Sequence, residues 1–294
     1  MRLNIQFSLN SLILPLNYNH IIQAFILDLI DDAEYRNFVH NEGFSYKKRK
    51  YKLFSFSRLN GKFSLNQKDK TIEFSDNVSL KISSHDKNLI QYCADSLLFK
   101  DDFELLGQKI NVEKLEYDDL EIKSDKIKVK TLSPITVYST IVQNSSKKTI
   151  YFSPNDDNFS KLIRENLIKK YLAYYDSYLP NEISNDEFVI KEADQKGSKM
   201  IITKYQNFII KGWHGVFEIQ GNPSLLKIGY DSGFGAKNSQ GFGLVEVIWL
   251  WIEGDDMGFI DAVYTIGKEF SSKTDEITDY PSQKAIEKKI VTPS

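Results

Sequence analysis

Apolar and polar residues alternate at the start of the chain, Arg2-Leu3-Asn4-Ile5-Gln6-Phe7-Ser8-Leu9. That period of two predicts a β-strand with one buried face. The period then lengthens. Ile22, Ile26, Leu29 and Ile30 share one face of a helix that Asn19 is expected to cap. A second short helix, residues 34–41, is expected to stop at Gly43. Alternation returns over residues 50–58, read as one strand, and again over 71–75 and 78–83. Residues 86–99 carry Ile90, Tyr92, Cys93 and Leu97 at helical spacing, and 103–115 read as strand. The order is β, α, β, β, α, β.

The second half repeats that order. Residues 127–143 read as strand. Pro154 and the following Asn-Asp-Asp cluster start a long helix to about residue 178. Residues 188–193, 200–205 and 213–219 are expected strands. Asn222-Pro223 reads as a cap followed by proline at the first helical position, and Gly233 as the stop. Leu244 to Ile252 is a β-rich apolar run. The fold class expected is therefore α+β, with two tandem ferredoxin-like (RRM-like) βαββαβ modules. The modules are drawn as 1–125 and 126–252, with a charged hinge near 116–126. An extension, 253–294, follows; 258–270 are expected to be ordered and the remainder mobile.

Between the last helix and the last strand lies Gly229 to Gly243, G-Y-D-S-G-F-G-A-K-N-S-Q-G-F-G. Two Gly-Phe-Gly triplets bracket Ala236-Lys237-Asn238-Ser239-Gln240. Backbone N–H groups in such a loop can cradle phosphates, with Lys237 supplying charge. A tight turn with no ligand is the plainer reading. The loop lacks the lysine-then-Ser/Thr of a Walker motif. It also follows a helix and precedes a strand, the reverse of a dinucleotide fingerprint.

Composition narrows the field. Apolar content of 41% supports real cores, and a single cysteine, Cys93, excludes an internal disulfide and points to a reducing, cytoplasmic setting. No signal-peptide plan and no run long enough to span a membrane are visible, so no membrane partner is expected. Net charge is −2, but its distribution is uneven. Residues 44–70 hold nine Lys and Arg against one Asp, whereas residues 246–294 hold ten acids and five lysines. A basic front patch is thereby masked by an acidic tail. Lysines that blunt a sheet edge would give the same pattern.

Three segments in order resemble the CRISPR-associated repeat-RNA processing endoribonucleases, Cas family six of the RAMP superfamily. They are the glycine-rich loop, the strand-entry motif Thr131-Leu132-Ser133-Pro134-Ile135, and His40 followed by Lys52-Leu53-Phe54-Ser55-Phe56-Ser57. Together they span roughly residues 1–248. The resemblance implies the same tandem modules and an endonuclease that binds CRISPR repeat RNA. It implies cleavage without metal or other cofactor, through attack of the substrate's 2′-hydroxyl. The products are a 2′,3′-cyclic phosphate and a 5′-hydroxyl. A non-cutting repeat-RNA binder of the same fold is the alternative.

That chemistry asks for a proton-transfer group and a cation at the phosphate. His40 falls at the position of the family's general acid/base, and Lys52 at that of its lysine. As a lone residue, His40 reads more readily as a helix C-cap histidine, and Lys52 as a sheet-edge lysine. The first helix reads Phe25-Ile26-Leu27-Asp28, without the family's third group, a tyrosine; Tyr46 or Tyr35 is the substitute considered, and a site of two residues is the alternative. Phosphate contacts are expected from Lys47, Lys48, Arg49 and Lys50, and from Gly233, Gly235, Lys237, Asn238, Gly241 and Gly243 of the loop. His20 and His85 read as helix-start residues, and His214 as a sheet residue beside Trp213. The four histidines are too scattered for a metal site. Asp31-Asp32 and Asp255-Asp256 read as helix-end or loop pairs. For the extension, a homodimer contact or a contact with CRISPR interference complex subunits is considered.

Overall fold

The structure, a computed structural model, describes residues 1–143, 146–193, 197–205 and 208–250. The front half runs β1 (Arg2–Pro15), α1 (Asn19–Asp28), α2 (Ala33–Asn37), a π-helical turn (Phe38–Glu42), β2 (Phe44–Tyr46), β3 (Arg49–Tyr51), β4 (Phe54–Phe56), β5 (Asn60–Asn66), β6 (Thr71–Ser84), α3 (Lys87–Phe99), β7 (Phe103–Leu105) and β8 (Gln108–Asp118). The rear half runs β9 (Lys126–Thr131), β10 (Tyr138–Gln143), β11 (Ser146–Tyr151), α4 (Asn158–Tyr175), α5 (Asn181–Ser184), β12 (Val189–Glu192), β13 (Lys199–Tyr205), β14 (Phe208–His214), β15 (Val216–Gln220), α6 (Pro223–Ser232), a 3₁₀ turn (Asn238–Gln240) and β16 (Val245–Leu250).

This is a mixed α/β protein with antiparallel sheets. The front sheet has the order β4-β6-β1-β8-β7, with β5 also on β6; the rear sheet has β12-β15-β9-β16. In each, the first strand lies between the strand that precedes the last helix and the final described strand of that half, and pairs antiparallel with both. Alternation explains the burial of β1. Leu3, Ile5 and Phe7 turn into a core with Ile22 and Ile26 of α1 and Ile90 and Leu97 of α3. A second core gathers Ile127 and Val129 of β9, Ile163 and Leu167 of α4, Phe217, and Leu225 of α6. Burying each such side chain contributes roughly 1.5–3 kcal/mol, so both halves have substantial cores of their own.

Several elements differ from the sequence expectation, each for a local reason. Residues 50–58 are not one strand. Leu53 takes φ +50°, which breaks the run into β3, paired with β2, and β4, paired with β6. Residues 127–143 split likewise into β9 and β10. Residues 213–219 split at Gly215 into β14 and β15. The short helix before Gly43 finishes as a π-helical turn, in which Gly43 N–H reaches back five residues to Phe38 O, 2.7 Å away. Asn19 does not cap α1; Tyr18 holds that place, and the Asn19 side chain is used elsewhere. The capping expected of Asn222 is present, with its side chain accepting from Ser224 N–H at 2.9 Å and Pro223 at the first turn. Asp32 caps α2 by accepting from Tyr35 N–H, in line with a helix-end role for its pair. The extension from residue 253 and Asp255-Asp256 lie outside the described residues. Among those described, no helix is long and apolar enough to cross a membrane.

Candidate active site

His40 is exposed on the π-helical turn, with Nδ1 2.7 Å from Asn41 Oδ1. The turn is clamped onto the β3 end. Gly43 has φ +65°, and a Cβ there would stand 2.6 Å from Tyr51 O and 3.6 Å from Lys52 N, so only glycine fits. Lys50 Nζ donates back to Asn41 O at 3.4 Å. The histidine turn and the Lys52 backbone are therefore adjacent, and Lys52 occupies the kink between β3 and β4. Lys52 is half-buried, and burial alone lowers its pKa from the ordinary lysine value.

Tyr46 is partly shielded at the end of the β2–β3 hairpin. Lys47, Lys48, Arg49 and Lys50 are all exposed on that hairpin, with Lys47 in the left-handed region (φ +55°) at its turn. The hairpin rests on α4, where Phe44 meets Tyr174 at 5.2 Å between ring centroids. Tyr35, the other tyrosine considered, donates to Asp86 Oδ2 at 2.6 Å, and burial with that bond pushes its pKa up. Its hydroxyl is committed to the fold and is withdrawn as a third group.

β4 carries the site to the glycine-rich loop. Ser55 Oγ donates to Phe242 O at 2.8 Å. Asn19 Nδ2 donates to Gln240 O at 2.8 Å, and Arg58 donates to Asn19 Oδ1 at 2.9 Å, which fixes the amide. Gly233, Gly235, Gly241 and Gly243 are all buried and all have positive φ. At Gly243 a Cβ would collide with Phe234 O, which sets the two triplets in backbone contact. Asn238, expected to face a phosphate, turns inward. It is 9% exposed, and its Nδ2 donates to Phe242 O at 2.9 Å and Phe234 O at 3.2 Å. Lys237 is half-buried, with Nζ 5.4 Å from the Tyr138 ring centroid, and burial lowers its pKa. The strand-entry segment backs the loop: Gly243 N–H donates to Pro134 O and Leu244 N–H to Ser133 Oγ.

The remaining histidines are held by the fold. His85 is not a helix-start cap; Asp86 caps α3, and His85 Nδ1 pairs with Asp231 Oδ2 at 3.0 Å. His214 Nδ1 lies 2.8 Å from Thr131 Oγ1, and burial lowers its pKa. His20 Nδ1 lies 3.0 Å from Asn17 O in the first turn of α1, the role expected of it. Among the described residues, no group of three His, Cys, Asp or Glu side chains converges as metal ligands would. Sequence reasoning missed Arg58, which fixes the Asn19 amide, and Asn19 and Lys170, whose polar heads reach the loop from distant elements. Only an unexplained polar residue on an apolar helical stripe could have flagged the last.

These features define a mixed α/β protein with two main antiparallel sheets, in which a basic hairpin, an exposed histidine and a half-buried lysine lie on the front half and an ordered glycine loop of the rear half is pinned to it through Ser55 and Asn19. Residues 115–247 match the family model "CRISPR associated protein Cas6, C-terminal". An endoribonuclease-like Cas6 protein of Pyrococcus furiosus is 30% identical over 178 residues, covering 59% of this chain and 69% of its own length. CRISPR-associated endoribonuclease Cas6 1 of Methanocaldococcus jannaschii is 28% identical over 238 residues, 80% of this chain and 88% of the relative. A solved structure described as a RAMP protein binding different RNA substrates superposes with TM-score 0.68 at 25% identity, covering 84% of this chain and 99% of the other. The chain belongs to the Cas6 family of CRISPR-associated proteins.

Proposed function

We propose that this protein is an endoribonuclease that cleaves CRISPR repeat RNA without a metal, by attack of the 2′-hydroxyl on the adjacent phosphate. The relatives named as Cas6 endoribonucleases support the activity class. One observation carries the mechanism: the clamp by which Gly43 seats the exposed His40 turn against the half-buried Lys52. His40 serves as general acid/base, relaying the proton between the 2′-hydroxyl and the departing 5′-oxygen. Lys52, free of any carboxylate partner among the described residues, meets the charge that develops on the phosphorane. Tyr46 is the third group, at the hairpin beside them. Lys47, Lys48, Arg49 and Lys50 hold the RNA backbone, and the loop offers Lys237; the N–H groups of Gly241 and Gly243 are spent inside the fold, so the glycines and Asn238 fix the loop's shape and do not grip phosphate.

The strand orders support reading each half as a ferredoxin-like module, 1–125 and 126–252, with the site on the front module and the glycine loop on the rear one. The test is incubation of labelled repeat RNA with purified protein in excess EDTA. Cleavage to a 2′,3′-cyclic phosphate and a 5′-hydroxyl supports the proposal. Tight binding with intact RNA identifies a non-cutting binder instead.

A further inference from the structure

We propose that Lys170 is a positioning residue that sets the RNA-facing shape of the glycine-rich loop through Gly233 and Asn238. This rests on the RNA-cleaving reading and deepens it. The buried stripe of α4 runs Phe159, Ile163, Leu167, Lys170, Ala173, so a lysine stands where an apolar residue belongs. It is 2% exposed. Its ammonium donates to Gly233 O at 2.6 Å and Asn238 Oδ1 at 2.8 Å, with Ser232 O at 3.5 Å. The two carbonyls lie at the C-terminal end of α6, where the helix dipole favours a cation.

A purely architectural role would not require this choice. Burying a cation with no carboxylate beside it is costly, and an apolar side chain of similar length would fill the stripe more cheaply. Burial lowers the lysine pKa to about 7, a sign of that cost. What an apolar side chain cannot do is hold Asn238. The same Asn238 amide ties Phe234 O to Phe242 O, one carbonyl from each Gly-Phe-Gly triplet. One ammonium thus fixes the brace that sets the two triplets, and with them the tip that carries Lys237. From the other side, the front half pins the same loop through Ser55 and Asn19.

The test is a double-mutant cycle on RNA affinity. Lys170→Met, Lys237→Ala and the double variant are compared in a His40→Ala background, so that a labelled RNA carrying the host's CRISPR repeat is bound and not consumed. Each single substitution is expected to weaken binding about tenfold. The double variant is expected to bind about as weakly as either single one, because both act through one loop. Circular dichroism checks that each variant is folded; if Lys170→Met is not, Lys170→Gln, which keeps a donor for Gly233 O, is read in its place. Unchanged affinity in the folded Lys170 variant, losses that multiply, or unfolding of both Lys170 variants overturns the positioning role. Failure of the parent protein to bind RNA would instead overturn the functional reading on which this rests.

Discussion

Ser55 Oγ donates a 2.8 Å hydrogen bond to Phe242 O, joining the strand that continues from Lys52 to the second Gly-Phe-Gly triplet of the rear half. Both partners are buried. Phe242 O also accepts from Asn238, so removing the hydroxyl leaves the carbonyl with one partner. Ser55→Ala is therefore expected to cost about 1 kcal/mol of stability and to slow cleavage severalfold. Urea unfolding and single-turnover cleavage check this. Unchanged cleavage would show that the two halves work independently.

Gly43 is the hinge pin of the site. Its φ of +65° and the carbonyl of Tyr51 leave no place for a Cβ. Gly43→Ala is expected to destabilise by about 1–3 kcal/mol. It should also lower the cleavage rate by at least about tenfold, because the His40 turn shifts away from Lys52. RNA affinity, carried by the basic hairpin and the loop, should change less. A loss confined to affinity, with the rate at saturation intact, would contradict the arrangement.

Lys52 is expected to act through charge. Lys52→Ala should lower the saturated cleavage rate by about 10²–10³, whereas Lys52→Arg, still cationic, should recover part of it. A parental rate for Lys52→Ala would remove Lys52 from the chemistry, and equal losses in the two variants would show that charge alone is not its contribution.

Buried Lys170 also makes stability depend on pH in a definite direction. Its folded pKa is about 7, against an ordinary 10.5 for the unfolded chain. Between those values the unfolded state binds the extra proton, so stability rises with pH, by at most about 1.4 kcal/mol per unit from this group. Below pH 7 both states are protonated and its contribution is flat. The comparison is urea unfolding at pH 7.0 and 8.5 for the parent and Lys170→Met. The variant should lose this rise; identical slopes would show that Lys170 is not buried as a titrating cation.

Much of the architecture could be read from periodicity, because β1, α3, α6 and the helix of α4 each bury a face with a regular repeat. The glycine loop was visible because its four positive-φ glycines are a sequence signature in themselves. Breaks were not visible. Leu53 adopts φ +50° without being glycine, so nothing in the alternation of residues 50–58 warned that Lys52 sits at a kink. Nor were the tertiary polar contacts. Asn19 reads as a cap because asparagine often caps helices, yet Gln240 O, 221 residues away, takes its amide. His40 and Lys52 were found by family resemblance; the Gly43 clamp between them came only with the fold.

The most direct measurement is single-turnover cleavage of labelled repeat RNA, in EDTA, by the parent protein and by His40→Ala. The parent is expected to cut and to leave a cyclic phosphate. The variant should bind the RNA with similar affinity while its rate falls by about 10²–10⁴. Cleavage by His40→Ala at the parental rate would contradict the account.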